Sequence, residues 1–190
     1  MAEVVVFHHA QGLTKGVLAF ADDLRAAGHT VHTPDLFGGR TFADLADGLD
    51  FADATGFDVL VERAWDAVGD LPHDVVPVGM SLGVLPAQAV AQTMDGVRGT
   101  VLLHGCIPAE EFERPWPQGL AGQVHVMADD DLGDVDAARD LAEQVPGVEL
   151  FTYPGDAHLF TDASLPDHDP ASAALVLQRV LAFLAALDEH

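Results

Sequence analysis

Apolar positions along the chain follow two alternating rhythms. Short β-branched or apolar runs occur at "VVVFH" (4–8), "TVHTPDL" (30–36), "DVVPVG" (74–79), "GTVLLHG" (99–105), "GQVHVM" (122–127) and "VELFTYPG" (148–155), and each reads as a strand. Between them, apolar residues recur at helical spacing. Val17, Phe20, Ala21 and Leu24 share one face of a first helix that Gly28 stops. "FDVLVERAWDAVGDL" (57–71) predicts a second, with Val61, Trp65 and Val68 on one side. Further helices are expected after Ser81, over "DVDAARDLAEQV" (134–145), and over the closing "ASAALVLQRVLAFLAAL" (171–187), which carries Leu175, Leu181 and Leu184. Strands alternating with helices of this length imply βαβ units, hence an α/β architecture: a mostly parallel, doubly wound sheet covered by helices on both faces. No repeat, linker or low-complexity tract interrupts the pattern, so residues 1–190 are expected to form one domain.

Composition narrows the classes of function. Hydrophobic residues make up 49% of the chain, which with regular Gly and Pro punctuation indicates a packed globular protein. The 31 acidic side chains against 8 basic ones give a net charge of −23, a field that repels phosphate backbones and anionic membrane surfaces. Neither nucleic acid nor membrane is therefore an expected partner. One cysteine, Cys106, excludes an internal disulfide framework. No basic leader precedes an apolar stretch at the N-terminus, and no uninterrupted apolar run has bilayer length. The expected location is the cytoplasm.

In a parallel α/β sheet, ligands sit beyond the carboxyl ends of the strands, so chemistry is sought there. Ser81, one of three serines, lies in "GMSLG" between a buried strand and a helix. This G-x-S-x-G setting lifts a serine hydroxyl onto a sharp turn at the sheet edge, and the glycines allow the close backbone approach that the turn needs. Pro86 comes early enough in the next helix for its missing N–H to matter little. A serine needs a base, and the base an orienting acid, in the order Ser, acid, His. His158 follows the last strand and is the expected base. "ADDDLGD" follows the strand before it, offering Asp129, Asp130, Asp131 and Asp134. Counting from the strand end favours Asp130 as the acid, with Asp131 second, and leaves Asp134 to cap a helix. The backbone N–H groups of Leu82 and of Ala10, in the loop after the first strand, are the expected oxyanion donors.

These segments together resemble the dienelactone hydrolase family within the α/β-hydrolase fold: "VVVFHHAQGL", "AAGHTVHTPDLFGGR", "GMSLG", an acidic turn after "VHVM", and "YPGDAHLF". The resemblance spans almost the whole chain. It implies cleavage of a small ester or lactone through an acyl-enzyme, with Ser81 where members that cleave dienelactone usually carry cysteine. His9 stands where those members have a glutamate in the early loop, and is expected near the substrate. Trp116, in the rigid "RPWPQG" loop, either packs on the body or walls the pocket. Arg40 reads as a solvated loop residue and Cys106 as a small buried filler. His8, His9, His104 and His125 show no metal-ligand spacing, so neither metal nor cofactor is expected. A small molecule is the expected partner, of a monomer or homodimer. The alternatives are a thioesterase or acyltransferase with the same triad, and a hydrolase-fold protein that binds a small molecule without turning it over.

Overall fold

Successive side chains of a strand point to opposite faces, so a strand with no polar position must be covered on both sides. That condition holds in the centre of the sheet. The computed structural model describes residues 1–188. It contains strands β1 (Glu3–Phe7), β2 (Thr30–His32), β3 (Val75–Met80), β4 (Gly99–Leu103), β5 (Ala121–Met127) and β6 (Val148–Tyr153). They form one sheet in the order β2-β1-β3-β4-β5-β6, with every neighbouring pair parallel. The helices are α1 (Lys15–Ala26), α2 (Leu45–Thr55), α3 (Phe57–Val68), α4 (Val84–Thr93), α5 (Val135–Gln144) and α6 (Pro170–Asp188).

The alternation sorts the core into two layers. On one face, Val4, Val6, Val78, Met80, Leu103 and Tyr153 meet α1 and α6 through Val17, Phe20, Leu24, Val176, Val180 and Leu184. On the other, Val5, Phe7, Leu102, Val124 and Val126 meet α3, α4 and α5 through Leu60, Ala64, Val90 and Leu141. Each fully buried Leu or Phe contributes about 1.5–3 kcal/mol from area removed from water. Thr14 starts α1 by accepting a hydrogen bond from the Val17 N–H.

The structure adds to or corrects the expected pattern at three helices. The 45–55 segment, for which no element was expected, is a separate helix, α2, with only Gly48 and Ala52 of it buried. Along α3 the buried row is Leu60, Ala64 and Val68, one position away from the expected Val61 and Trp65. Helix α6, though interrupted by Gln178 and Arg179, has a mean hydropathy of 1.7 over Pro170–Leu187 and is long and apolar enough by length and composition to cross a membrane. In the fold this helix buries its Val176, Val180 and Leu184 row on the sheet, and Arg179 lies 4.4 Å from the Phe151 ring centroid.

Two histidines are held neutral inside the packing. His8 Nδ1–H donates to the His9 carbonyl at 2.8 Å, and its Nε2 accepts the Leu36 N–H at 3.0 Å. His125 Nε2–H donates to Gln123 Oε1 at 3.2 Å and its Nδ1 accepts from the Tyr153 hydroxyl at 2.8 Å. Burial lowers His8 to about 4, and burial with Arg179 nearby lowers His125 to about 3, from the ordinary 6.5. Below pH 6.5 the unfolded chain therefore binds more protons than the folded one. Stability is complete above pH 6.5 and declines as the pH falls towards these lowered values, by about 1.4 kcal/mol per pH unit for each histidine. Urea unfolding midpoints are expected to fall between pH 7 and pH 5; a flat profile would show that these rings take up protons in place.

Candidate active site

The site begins with a turn that only glycine can flank. Ser81 follows β3 directly, opens a 3₁₀ turn (Ser81–Gly83) that runs into α4, and has φ of +51°. A Cβ on Gly79 would lie 2.5 Å from the Gly83 carbonyl oxygen, and one on Gly83 would lie 2.2 Å from that of Phe7. Both distances are below any real contact, so the elbow closes against the end of β1 only without side chains there. The left-handed backbone at Ser81 is strain held in place by this packing.

His158 and Asp130 arrive from the ends of β6 and β5. Ser81 Oγ lies 2.7 Å from His158 Nε2, and His158 Nδ1 lies 2.7 Å from Asp130 Oδ2. Asp130 is 5% exposed and His158 7%. The second carboxylate oxygen of Asp130 accepts the Leu132 N–H at 2.9 Å, which fixes the plane of the group. With Nδ1–H directed at the carboxylate, Nε2 presents a lone pair to the serine hydroxyl. The arrangement can carry the serine proton to the ring and stabilise the imidazolium that results. Asp131 is exposed and takes no part in this chain. Asp134 caps α5 by accepting the Ala137 N–H at 3.1 Å.

Next to it lies a second histidine–aspartate pair. His9 Nε2–H donates to Asp162 Oδ2 at 2.8 Å, and both side chains are fully buried. His9 Nδ1 accepts the Gln11 N–H at 3.2 Å. Both ring nitrogens are thus committed inside the protein, and His9 does not face a ligand as its position in the sequence led one to expect. It holds the early loop instead. Asp162 also accepts from the Thr14 hydroxyl and from the N–H and hydroxyl of Ser164. Burial by itself would raise this carboxyl; the donors from His9, Ser164 and Thr14 outweigh it and hold Asp162 well below the usual carboxylate range. Nothing local in the sequence marks Asp162 except the Asp-x-Ser turn, whose Ser164 N–H bonds back to it at 2.7 Å.

The early loop is fixed from its other side as well. Gln11 Nε2 donates to the carbonyls of Phe42 and Ala43, at 3.1 and 2.8 Å. Helix α2 packs so closely that a Cβ on Gly48 would sit 2.0 Å from the Ala10 carbonyl oxygen. The backbone N–H groups of Ala10 and Leu82 have no hydrogen-bond partner among the described residues.

Other expected residues lie apart. Trp116 is drawn away from the strand ends: its Nε1–H donates to the Leu120 carbonyl at 3.0 Å, and its ring packs on Gly122 at the amino end of β5. The apolar body under the sheet claims it, not the pocket. Arg40 is exposed, 5.1 Å from the Phe51 ring centroid. Cys106 is buried beside the site, and burial, with Asp134 nearby, pushes its thiol up to about 12, so it remains protonated.

Two spaces border these groups. A cavity of about 100 Å³ is lined by Ser81, His158, His104, Cys106, Ile107 and Leu132, among others. An open groove of about 870 Å³ runs past His158 between Asp129, Asp131, Asp156, Asp167 and Asp169. Among the described residues, no lysine or arginine lines either space.

The model of the dienelactone hydrolase family matches residues 1–187. Among solved structures, the chain is similar to a dienelactone hydrolase-like promiscuous phosphotriesterase from metagenomic libraries (TM-score 0.75, 21% identity), covering 98% of this chain and 87% of that one. It is similar also to a putative dienelactone hydrolase from Klebsiella pneumoniae subsp. pneumoniae (TM-score 0.77, 14% identity, 97% and 87% covered). A third similarity is to a structure from work on two metagenome-derived lipolytic enzymes, LipS and LipT (TM-score 0.69, 16% identity, 100% and 94% covered). These likenesses establish the α/β-hydrolase fold. No curated protein matches the chain significantly.

Asp162→Asn would set an amide N–H₂ among groups that donate. The substitution is expected to lower stability by about 3 kcal/mol, as for one partner lost from a buried pair. Thermal unfolding of the variant measures this; an unchanged midpoint would remove Asp162 as the tie between the two loops.

Proposed function

The chain belongs to the dienelactone hydrolase family, and from that premise we propose that it hydrolyses small, uncharged carboxylic esters or lactones through a serine acyl-enzyme. The observation that carries this reading is the continuous hydrogen-bonded line from Ser81 Oγ through His158 to Asp130, with both links at 2.7 Å. Ser81 Oγ attacks the substrate carbonyl as its proton passes to His158 Nε2. The carbonyl π electrons move onto oxygen, and the N–H groups of Leu82 and Ala10 receive that charge. Collapse of the tetrahedral species breaks the bond to the alcohol oxygen, which leaves with the proton from His158. Water then gives a proton to the same nitrogen as it attacks the acyl carbon. The second tetrahedral species collapses: the bond to Ser81 Oγ breaks, that oxygen takes the proton back from His158, and the acid is released.

The charge along the groove favours uncharged substrates over an acid-bearing lactone. The aspartates along the groove repel a carboxylate, and no lysine or arginine among the described lining residues compensates. Cys106 offers no second nucleophile at neutral pH, because its thiol is raised to about 12. The esterase and lipase names attached to structural neighbours agree with this reading. The protein is proposed to work in the cytoplasm with a small molecule as its only partner, as a monomer or homodimer.

A fluorophosphonate is expected to label wild-type protein at Ser81 and to leave Ser81→Ala unlabelled. Ser81→Ala and His158→Ala should each lose about 10³-fold or more in kcat/KM on p-nitrophenyl acetate. Asp130→Asn should lose far more than Asp131→Asn. Equal losses in the two asparagine variants would remove Asp130 from its role, and activity surviving in Ser81→Ala would move the chemistry elsewhere.

A further inference from the structure

The two spaces at the triad differ in size and in what they touch. The cavity of about 100 Å³ borders both Ser81 and His158, whereas the open groove of about 870 Å³ borders His158 but not Ser81. At about 30 Å³ per water-sized group the cavity holds only three or four non-hydrogen atoms. Its walls are apolar at Val84, Cys106, Ile107 and Leu132. The loops that build it are tied down. The Gln88 side chain donates to the Ile107 carbonyl at 2.6 Å and accepts the Ile107 N–H at 3.1 Å, which holds the loop after β4 on α4. The loop after β5 packs so closely on it that a Cβ on Gly105 would lie 2.9 Å from the Gly133 carbonyl oxygen. A space walled in this way does not expand to take extra methylenes without strain.

Among the described residues, His158 and Leu132 alone border both spaces. His158 is the base. Leu132 has no part in the chemistry described above, yet this large apolar residue stands 61% exposed where the cavity and the groove meet. Its backbone N–H donates to Asp130 Oδ1 at 2.9 Å. The bond that sets the plane of the triad acid therefore also sets the place of Leu132 between the two spaces.

We propose that Leu132 divides the site into two subsites: the cavity seats a short alkanoyl group, from acetyl to butyryl, and the groove takes the alcohol, whatever its length. The assignment rests on the hydrolase reading above. The acyl carbon becomes bonded to Ser81 Oγ, so its substituent enters the space that borders Ser81. The alcohol oxygen takes its proton from His158, so the rest of the alcohol lies in the groove that borders His158 but not Ser81. Val84, Cys106, Ile107 and Leu132 give the methylenes of a short acyl chain apolar contact. A longer acyl chain has to displace Ile107, which Gln88 holds, or to pass Leu132 into the groove.

The test runs two ester series on the full chain, each kcat/KM divided by that ester's rate of hydroxide hydrolysis. p-Nitrophenyl acetate, butyrate, hexanoate and octanoate vary the acyl group; ethyl, butyl and hexyl acetates vary the alcohol. Along the first series kcat/KM should hold from acetate to butyrate and then drop by about 10-fold or more at hexanoate, as for methylenes that a rigid pocket does not admit. Along the second it should change by no more than about 3-fold, since an open groove buries little of the chain. Leu132→Ala keeps the N–H that orients Asp130 and alters an exposed side chain, so it leaves the core packing in place. Its hexanoate-to-butyrate ratio should rise by about 10-fold, with the pH dependence of kcat/KM kept. A ratio that does not move in Leu132→Ala overturns the division. A drop along the alcohol series with a flat acyl series exchanges the subsites and overturns the assignment, as do drops in both series or in neither. Ser81-dependent hydrolysis with any of those profiles sinks the subsites alone. Absence of any Ser81-dependent hydrolysis or fluorophosphonate labelling sinks the hydrolase reading, and the subsites with it.

Discussion

Asp162 carries its charge where water does not reach it, and four donors from three segments converge on its two oxygens. His9 belongs to the loop after β1, Thr14 to the cap of α1, and Ser164 to the turn beyond His158. A buried carboxylate is tolerated only when its lone pairs are filled, so those segments cannot move independently without exposing or stranding the charge. The loop bearing the Ala10 N–H and the loop bearing His158 are therefore positioned by one group that touches neither Ser81 nor any substrate. The requirement reaches α1 as well: a Cβ on Gly16 would fall 1.6 Å from Asp162 Oδ1, so the first turn of that helix closes directly over the carboxylate.

The elbow at Ser81 depends on the same region from the opposite direction. Gly83 presses on the Phe7 and His8 carbonyls, so the end of β1 is clamped between the elbow above β3 and the loop held by Asp162. Positive φ at Ser81 and His104, each directly after one of two neighbouring strands, places strained backbone at the carboxyl edge of the sheet where the small cavity opens. Strain of this kind persists only where surrounding contacts over-determine it, and here they do. Gln88 fixes the loop after β4, while Gln11 and Gly48 fix the one after β1.

What the sequence reveals of this arrangement follows from the range over which each signal acts. Strands buried on both faces are legible as apolar runs, and the strand-end rule then singles out Ser81, Asp130 and His158 by position and order. The structure brings those three together. Helix α2 is not legible, because only Gly48 and Ala52 of it are buried while Leu49 is exposed, so its apolar residues draw no buried stripe. Trp116 and His9 show the limit more sharply. Their residue types suit a binding pocket, but their roles are set by partners far along the chain, Gly122 for the indole and Asp162 for the imidazole. A single sequence lists donors and acceptors without saying which of them meet.

Two histidine–aspartate pairs of nearly equal length, 2.8 Å at His9–Asp162 and 2.7 Å at His158–Asp130, stand in one site. Their separate roles do not follow from the ion-pair distance or from burial, since all four side chains are enclosed. The distinction lies in the other ring nitrogen. At His9 that nitrogen accepts the Gln11 backbone N–H, so its lone pair is taken up by the loop it holds and is not offered to a substrate or nucleophile. At His158 the same atom class faces a hydroxyl on a strained turn beside an open groove. A proton arriving there disrupts no structural bond, and the carboxylate behind it gains attraction as the ring becomes charged. One pair is therefore committed to holding the loops in register, and the other is left free to exchange a proton with Ser81.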